Sequence, residues 1–278
     1  MTQPTEETFV GEGGLKIFLR SWKPAGTPRA VVAVCHGFNS HSGHYLWVAD
    51  QLVAKGFAVY ALDLRGRGKS EGERYFINKF QEYIGDVHAM IKIAKSREPG
   101  LPVFLLGHSA GGVIASSYAL DHQSELAGLI CESFAFRVYA PEFALSLLKG
   151  LAHLTPHLHV LRLPIKDFSR DPKVVEAMNN DPFVKDEVQP TLTVAEMWRA
   201  DERLTLEFSL ITLPVLILHG AADVVTKPGG SQQFFDNAGS ADKTLKLYEG
   251  HVHDLLNDLD KEKVMADIAN WVEKHLPA

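Results

Sequence analysis

Several features that mark special classes of protein are missing or rare in this sequence of 278 residues. There are only two cysteines, Cys35 and Cys131, and both end apolar segments that are predicted to be buried strands. So few thiols argue against a disulfide scaffold and indicate a reducing compartment. No run of about 18 apolar residues occurs, so no transmembrane helix is predicted. Residues 1–7 lack the basic and apolar parts of a signal peptide, and we therefore expect a cytoplasmic protein.

Charge and composition narrow the function further. Asp and Glu outnumber Lys and Arg by 34 to 28, so the formal net charge is −6. This balance offers no basic surface, and we expect no nucleic-acid partner. Hydrophobic residues make up 46% of the chain and charged residues 22%, which is typical of a globular fold. The length suits one large α/β domain with an insertion.

Strand-like and helix-like segments alternate along most of the chain. Two short strands around Gly13 and Gly14 predict an antiparallel hairpin. After it, apolar strands are separated by segments with helical periodicity, which predicts an α/β fold with a mostly parallel central sheet flanked by helices. The predicted strands are residues 8–10, 15–22, 30–35, 57–62, 102–106, 126–131, 214–218 and 244–248, and the predicted helices are 45–55, 81–97, 109–120 and 264–275.

The alternation stops between residues 133 and 210. No strand is predicted there, and helical pieces alternate with proline-containing connectors. Ligands of open α/β sheets bind beyond the carboxyl ends of the strands, so an insertion between two late strands is placed to cover that site. We therefore predict an α/β core formed by residues 1–132 and 211–278, with a helical cap formed by residues 133–210.

A Gly-His-Ser-Ala-Gly motif at residues 107–111 carries the strongest functional signal. It follows an apolar strand and precedes a helix, the context in which G-x-S-x-G presents a nucleophilic serine. Glycines suit both ends of the turn, because a Cβ there would collide with a neighbouring strand or helix. The motif predicts that Ser109 is a nucleophile near the positive end of the helix dipole. The alternative is a tight turn that contains a serine by chance.

A nucleophilic serine needs a base and a carboxylate, which in this architecture follow it in the order Ser, Asp or Glu, His. Asp223 follows one late strand, and His251 and His253 follow the next. The imidazole would take the serine proton, and the carboxylate would orient the imidazole. Both histidines lie in the right loop, and Glu132, at the end of another strand, is an alternative carboxylate.

A second motif, His36-Gly37, directly follows the strand 30–35. In this type of fold, an early loop and the residue after the nucleophile supply the backbone N–H groups of an oxyanion hole. The predicted donors are the N–H groups of Phe38 and Ala110. Gly37 would let the loop pass close to the nucleophile. The alternative is a plain turn after the strand.

Together these motifs resemble the monoacylglycerol lipase and lysophospholipase-like branch of the α/β-hydrolases. The resemblance covers nearly the whole chain and implies hydrolysis of monoacylglycerols or similar single-chain esters under an apolar cap. The family's spacing puts the base three residues after Gly250, so the implied triad is Ser109, Asp223 and His253. The matching segments are residues 36–42, 60–72, 107–111, 169–172, 180–182, 219–223 and 248–250.

Three places depart from the family's pattern. Ala110 stands where the family usually has Met, and residues 38–40 read Phe-Asn-Ser where Gly-Glu is usual. Residues 132–134 read Glu-Ser-Phe in place of a Ser- or Ala-rich segment that ends in Pro. These positions are expected to face the pocket, so the substrate preference stays open. The alternatives are a carboxylesterase for short-chain or aryl esters, a thioesterase or related enzyme of the same fold, and a non-catalytic binding module.

Apolar side chains are dense in the predicted cap. A leucine stripe near its start predicts packing within the cap, a substrate channel, or a face that docks on a membrane or micelle. We select Leu148 and Leu151 from it, with Gly37 in the core, as substrate-binding residues. The apolar residues of this segment predict a tunnel toward Ser109. They are Phe134, Phe136, Phe143, Leu145, Leu147, Leu148, Leu151, Leu154, Leu158, Val160, Leu161 and Leu163.

Two further groups of polar residues are expected to be structural. Three histidines within residues 153–159 are interrupted by Pro156 and have no Cys or carboxylate to complete a metal site. We therefore expect no metal and no cofactor. Asp63 and Arg65 are expected to hold a loop.

Overall fold

The computed structural model describes residues 3–136, 138 and 142–277, and for residues 142–147 it describes the helix but not the side chains. The strands are β1 (Thr5–Val10), β2 (Lys16–Trp22), β3 (Ala30–Cys35), β4 (Phe57–Leu62), β5 (Val103–His108), β6 (Gly128–Glu132), β7 (His159–Leu161), β8 (Gln189–Pro190), β9 (Val215–Gly220) and β10 (Lys243–Tyr248). The helices are α1 (Leu46–Ala54), α2 (Gln81–Arg97), α3 (Ala110–His122), α4 (Glu142–Leu154), α5 (Pro172–Asn180), α6 (Thr191–Glu207), α7 (Pro228–Asn237) and α8 (Lys261–Lys274).

Eight of the strands form one sheet in the order β1-β2-β4-β3-β5-β6-β9-β10. The pairs β1–β2 and β2–β4 are antiparallel, and every other neighbouring pair is parallel. The predicted fold class, a mostly parallel sheet flanked by helices, is therefore confirmed. Because β3, β5, β6 and β9 are neighbours, the loops at their carboxyl ends meet at one edge of the sheet.

The central strands are buried on both faces because their residues are apolar throughout. Alternate residues of each strand enter two separate cores, as β3 illustrates: Val31 and Ala33 face one core, and Val32 and Val34 face the other. The first core is covered by α2 and α3, and the second by α1 and α8. This two-sided packing holds β5 rigidly between helices, which suits a strand that ends at the candidate nucleophile.

The predicted elements of this core are confirmed, with small shifts at their ends. β3, β4 and α2 have the predicted bounds. β1 begins at Thr5 rather than at residue 8, because its exposed residues Thr5, Glu6 and Glu7 pair with β2 through the backbone and carry no apolar pattern. An edge strand of this kind is hard to predict from sequence, because strand prediction depends on a pattern of buried apolar residues.

The segment between β6 and β9 differs from its prediction in two respects. It contains α4, α5 and α6 but also a small antiparallel sheet of β7 and β8, where no strand was predicted. These strands have two or three residues, too few to show a period. Phe134 and Phe136 do not line a tunnel: both are fully buried in the core, where they pack with Phe208 and Phe234. Because part of the segment shares the core in this way, the boundaries 1–132, 133–210 and 211–278 stay a prediction.

Within the described residues, none of the helices is both long enough and apolar enough to cross a membrane.

Packing at the start of α3 predicts a large difference between two glycine substitutions. A Cβ on Gly111 would stand 2.1 Å from the carbonyl oxygen of Cys35, whereas a Cβ on Gly150 would have no neighbour within 4 Å. We expect Gly111→Ala to destabilise the protein by about 1–3 kcal/mol, because backbone must move. Gly150→Ala, in the exposed part of α4, is the matched control and should stabilise by roughly 0.5–1 kcal/mol through helix propensity. Urea unfolding of both variants measures the difference, and equal stabilities would contradict this account of the turn.

Candidate active site

Ser109 occupies a strained turn between β5 and α3. Its backbone angles, φ 54° and ψ −120°, lie in a region that non-glycine residues rarely adopt. The turn is tight because its glycines are close to other backbone: a Cβ on Gly107 would stand 2.3 Å from the carbonyl oxygen of Gly111. The Ser109 N–H donates to the carbonyl oxygen of Glu132 at 2.9 Å, which ties the turn to the neighbouring strand. The predicted strand–turn–helix geometry is therefore present.

Three predicted residues from three separate loops meet at this turn. His253 Nε2 lies 2.9 Å from Ser109 Oγ, and His253 Nδ1 lies 2.8 Å from Asp223 Oδ2. All three side chains are buried. An imidazole in this position can take the hydroxyl proton at one ring nitrogen while the carboxylate accepts a hydrogen bond from the other.

Asp223 is held as an anion by several donors. One carboxylate oxygen accepts the backbone N–H groups of Val225 and Thr226, and the other accepts the Thr226 hydroxyl in addition to facing His253 and His219. Burial by itself would raise the pKa of Asp223, but the charge of His253 and the hydrogen bonds from His219 and His253 hold it well below its usual range. A carboxylate that stays ionised can stabilise an imidazolium next to it.

His219 is a site residue whose contribution was not predicted. It is fully buried at the end of β9, with Nε2 3.0 Å from Asp223 Oδ2 and Nδ1 2.7 Å from Ser231 Oγ. The Ser231 hydroxyl can donate to Nδ1, which leaves Nε2–H to donate to the carboxylate. The available signal was its spacing, four residues before Asp223 at the end of an apolar strand.

His251, the alternative base, and Glu132, the alternative carboxylate, do not occupy the corresponding positions beside Ser109. His251 turns its Nδ1 toward the carbonyl oxygen of Glu249 at 3.2 Å, and its ring lies beside Tyr248. The Glu132 carboxylate contacts His108 Nδ1 and accepts the Leu255 N–H at 2.7 Å. Asp223, and not Glu132, is therefore the carboxylate that faces the imidazole of the triad arrangement.

The buried pair of His108 and Glu132 is a second feature that was not predicted. Burial lowers the pKa of His108, but the charges of Glu132 and Asp254 outweigh it and raise that pKa to about 9. A pKa raised in this way favours the imidazolium form of His108, which directly precedes Ser109 and has its ring 5.1 Å from the ring of His253. Glu132 links three parts of the site, because it also binds the N–H groups of Ser109 and Leu255 through its carbonyl and carboxylate oxygens.

The loop after β3 approaches the nucleophile as predicted. A Cβ on Gly37 would stand 2.8 Å from Ser109 Cβ, so only glycine fits. His36 stiffens this loop: its Nε2 accepts the Leu64 N–H at 2.9 Å, which leaves Nδ1–H to donate to the Gly37 carbonyl oxygen at 2.7 Å. Burial, opposed only in part by Asp63, lowers the pKa of His36 to about 3, so the ring stays neutral.

The two residues that are predicted to supply the oxyanion donors lie beside the same cavity as Ser109. Phe38 and Ala110 both line the cavity that contains Ser109. In the part of the chain that the structure describes, the N–H groups of Phe38 and Ala110 donate to no protein acceptor. Buried N–H groups that lack a protein acceptor are usually satisfied by ordered water or by a ligand. The assignment of Phe38 and Ala110 to an oxyanion hole stays a prediction that this geometry favours.

The departures at residues 38–40 connect this loop to the predicted cap. The Arg67 guanidinium lies over the Phe38 ring at 4.2 Å and forms a fully buried ion pair with Glu187. Asn39 Nδ2 donates to the carbonyl oxygen of Leu163 at 3.0 Å. The altered sequence therefore ties the loop to the segment above it.

The same segment also holds the loop that carries His253. The Phe168 ring meets the His253 ring edge-on at 5.0 Å, and the Phe168 carbonyl oxygen accepts the Asp254 N–H at 2.8 Å. Arg170 binds Asp258 through its backbone N–H at 2.6 Å and its guanidinium at 2.7 Å. These contacts give a structural reason for the Ser-Arg-Asp-Pro motif at residues 169–172.

A cavity of about 330 Å³ extends from Ser109 beneath the predicted cap. Its walls are mainly apolar. Leu148 lines it, but Leu151, also chosen as a substrate-binding residue, is not among the lining residues and is exposed on α4. Of the predicted tunnel, Phe143, Leu145 and Leu147 lie outside the described side chains. The other predicted lining residues that the structure places on the cavity are Val160, Leu161 and Leu163.

The structure also describes the two groups of polar residues that were expected to be structural. Asp63 accepts the N–H groups of Ser42 and Lys69, and Arg65 forms two hydrogen bonds with Asp86, so both residues hold loops as predicted. The three histidines within residues 153–159 do not form a ligand cluster in the described part of the chain.

Comparison with known proteins gives consistent matches over almost the whole chain. Residues 26–260 match the family described as serine aminopeptidase, S33. A monoacylglycerol lipase of Mycolicibacterium smegmatis is 32% identical over 274 residues, which cover 98% of both chains. The monoglyceride lipase of Homo sapiens is 34% identical over 271 residues, 96% of this chain and 89% of its own. The crystal structure of a Paleococcus ferrophilus monoacylglycerol lipase superimposes with a TM-score of 0.83 at 32% identity and covers 92% of this chain and 99% of that one.

We expect the ion pair of His108 and Glu132 to make the stability of the protein depend on pH. The pKa of His108 is raised from an ordinary value of 6.5 to about 9 in the folded protein. The ion pair with Glu132 therefore stabilises the fold fully below the ordinary pKa, and this stabilisation is lost as the pH rises through the folded-state pKa. We expect Glu132→Gln to lower the free energy of unfolding, with a larger loss at about pH 6 than at about pH 10. Urea unfolding at several pH values measures this. Glu249→Gln, at an exposed loop position, is the control, and a loss that grew with pH would contradict the assignment.

Proposed function

Because this chain belongs to the serine aminopeptidase S33 family, whose match spans residues 26–260, we propose that it hydrolyses monoacylglycerols or similar single-chain carboxylic esters. The chain is an α/β-hydrolase related over nearly its full length to enzymes named monoacylglycerol lipases, which supports esters rather than peptides as substrates. The observation that carries the proposal is the line of contacts from Ser109 through His253 to Asp223 at the inner end of an apolar cavity.

In the proposed acylation step, Ser109 Oγ attacks the ester carbonyl carbon while His253 Nε2 takes the hydroxyl proton. The resulting imidazolium is stabilised by Asp223, which stays ionised. The carbonyl oxygen becomes an oxyanion that accepts from the N–H groups of Phe38 and Ala110, each donor being worth roughly 3–4 kcal/mol in such sites. His253 then returns the proton to the leaving alcohol, and an acyl-enzyme on Ser109 results.

In the proposed deacylation step, His253 removes a proton from water, and the hydroxide attacks the acyl carbonyl carbon. The second tetrahedral intermediate uses the same two N–H groups. When it collapses, the fatty acid leaves and His253 returns the proton to Ser109 Oγ. Every proton therefore passes through one ring nitrogen, whose position is set by the contact of the other nitrogen with Asp223.

The acyl chain is proposed to occupy the apolar cavity. Leu148, Val160 and Leu161 form part of its wall, so residues 133–210 act as the cap over the nucleophile. Each buried methylene contributes up to about 0.8 kcal/mol. Leu154 and Leu158, which are 82% and 50% exposed on the same segment, are proposed to contact a membrane or micelle that presents the substrate.

A chain-length series tests the proposed substrate class. We expect KM to fall as the acyl group of a monoacylglycerol lengthens, until the cavity is full, because each added methylene is removed from water. The experiment measures kcat/KM for glycerol, aryl and thioester leaving groups over acyl chains from two to about sixteen carbons. Ser109→Ala is the background control and should lose about 10⁴-fold or more in kcat.

The other outcomes identify the alternative enzymes. A monotonic preference for acetate esters would reject the lipase proposal in favour of a short-chain or aryl carboxylesterase. A preference for thioesters over matched oxygen esters would indicate a thioesterase. Absence of turnover and of covalent labelling by a fluorophosphonate in the wild-type protein would favour a binding module.

The two neighbouring histidines provide a matched test of the base. His253→Ala should be nearly inactive, because no other base reaches Ser109 Oγ in the contacts described above. His251→Ala should retain at least about a tenth of the wild-type kcat, a loss below about 1.4 kcal/mol. Steady-state kinetics measures both, with urea unfolding to establish that each variant is folded. The reverse pattern would move the base to His251.

A further inference from the structure

A second group of titratable side chains lies outside the active site, where α2 packs beside the C-terminal end of α3. It consists of His88 on α2, Tyr118 and His122 on α3, and Glu125 in the turn that follows. The His122 ring stacks on the His88 ring at 4.6 Å and on the Tyr118 ring at 4.7 Å. The side chains of His88, Glu125 and His122 are 25%, 27% and 31% exposed. The proposed catalytic steps use none of them.

We propose that His88, His122 and Glu125 form a binding site for a divalent transition-metal ion, with Zn²⁺ as the preferred ion. His88 Nδ1 and His122 Nδ1 lie 3.7 and 3.5 Å from Glu125 Oε1, and each of the three residues has a ligand atom within 4.8 Å of a ligand atom of the other two. Zn²⁺ holds nitrogen and oxygen ligands at 2.0–2.2 Å, so neighbouring ligands in a tetrahedral site are about 3.3–3.5 Å apart. The spacing of the donor atoms is close to this value, and because the two rings are stacked, one of them has to turn about its side-chain torsions to direct its Nδ1 lone pair at the ion.

The ligand types also suit a metal. Two imidazoles and one carboxylate are ligands that Zn²⁺ and its neighbours in the first transition series prefer. The partial exposure provides an entry path and space for a water molecule as the fourth ligand.

Tyr118 supports the carboxylate from the other side. Its hydroxyl lies 3.2 Å from His88 Nδ1 and 3.3 Å from Glu125 Oε2. When an ion takes the lone pair of Nδ1, the hydroxyl can donate to Oε2, which leaves Oε1, the oxygen that faces both histidines, for the ion. Outer hydrogen bonds of this kind orient metal ligands and strengthen their binding. An ion held here would join α2 to the end of α3, the helix whose other end follows Ser109.

Two other clusters of His and carboxylate in the described residues lack this chemistry. In the cluster of His41, His44 and Asp181, the Gly43 N–H donates to His41 Nδ1 at 3.1 Å. The proton of the neutral ring is therefore on Nε2, the atom 2.8 Å from Asp181 Oδ2, so this nitrogen has no lone pair for a metal. In the third cluster, His108 is fully buried and already protonated by its pairing with Glu132.

The expected metal site can be measured without any assay of activity. Tag-free protein is treated with EDTA, dialysed and titrated with ZnCl₂ by isothermal titration calorimetry at neutral pH. We expect one Zn²⁺ per chain. His88→Ala and His122→Ala should each weaken binding by at least about tenfold, since each removes a ligand. Thermal unfolding should show a higher Tm with Zn²⁺ than with EDTA for the wild type, and no such shift for either variant.

Two control variants test whether the ion binds at His88 and His122 rather than at another histidine. His157→Ala removes an exposed histidine that contacts the single carboxylate of Glu73, and it should leave the affinity unchanged. His44→Ala should also leave it unchanged. Absence of saturable binding would overturn the proposal, as would wild-type affinity in both His88→Ala and His122→Ala or loss of binding in His44→Ala.

Discussion

The carbonyl oxygens of Cys35 and His36 lie so close to Gly111 that a methyl group there would stand 2.1 and 2.6 Å from them. This contact brings the first turn of α3 against the end of β3, and the strained backbone of Ser109 is a consequence of it. The loop after β3 meets the same turn from the other side at Gly37. Because the parallel strands β3, β5 and β6 are neighbours in the sheet, backbone packing brings Ser109 close to the loop that carries Phe38, and the side chains of His36 and Asn39 then hold that loop in place.

Buried charges around this turn are balanced in two separate ways. Asp223 is surrounded by N–H and O–H donors and keeps its negative charge beside His253. His108 carries a positive charge that is paired with Glu132. Removing one partner would leave an unpaired charge in a water-poor interior, which would destabilise the fold. Both members of each pair therefore have to be retained or replaced together. Glu132 has the wider structural role, since its carbonyl and carboxylate oxygens join Ser109, His108 and Leu255.

Local patterns predicted most of the core, although α7, which contributes Phe234 to it, was not among the predicted helices. β3 and β4 are short apolar runs between turn residues, and the apolar face of α2 repeats with helical spacing, so both the elements and their parallel arrangement were predictable. The geometry that unites Ser109, Asp223 and His253 also followed from chain order, because each residue comes directly after a strand. The sequence pattern alone did not distinguish His251 from His253 as the candidate base. The spacing of the family motif favoured His253.

Features that depend on distant side chains were not predictable in this way. Glu132 was considered as an orienter of the base, but its actual partner, His108, is separated from it by 24 residues and reaches it only because β5 and β6 pair in register. Phe134 and Phe136 have the apolar character of tunnel residues and of core residues alike, and only their packing with Phe208 assigns them to the core. A one-dimensional pattern shows that such a residue is buried but not which neighbour buries it.

The contacts between the predicted cap and the active-site loops restrict how the cavity can open. Phe168 and Arg170 hold the loop that carries His253, and the Leu163 carbonyl oxygen accepts a hydrogen bond from Asn39 in the loop after β3. A cap that moved as one rigid unit would break these contacts and displace His253 from Ser109. Substrate entry that keeps the triad geometry must therefore leave the residues near 163–170 in place. The movement has to come from other parts of the segment, such as α4, which carries Leu148 in the cavity wall and Leu154 on the surface.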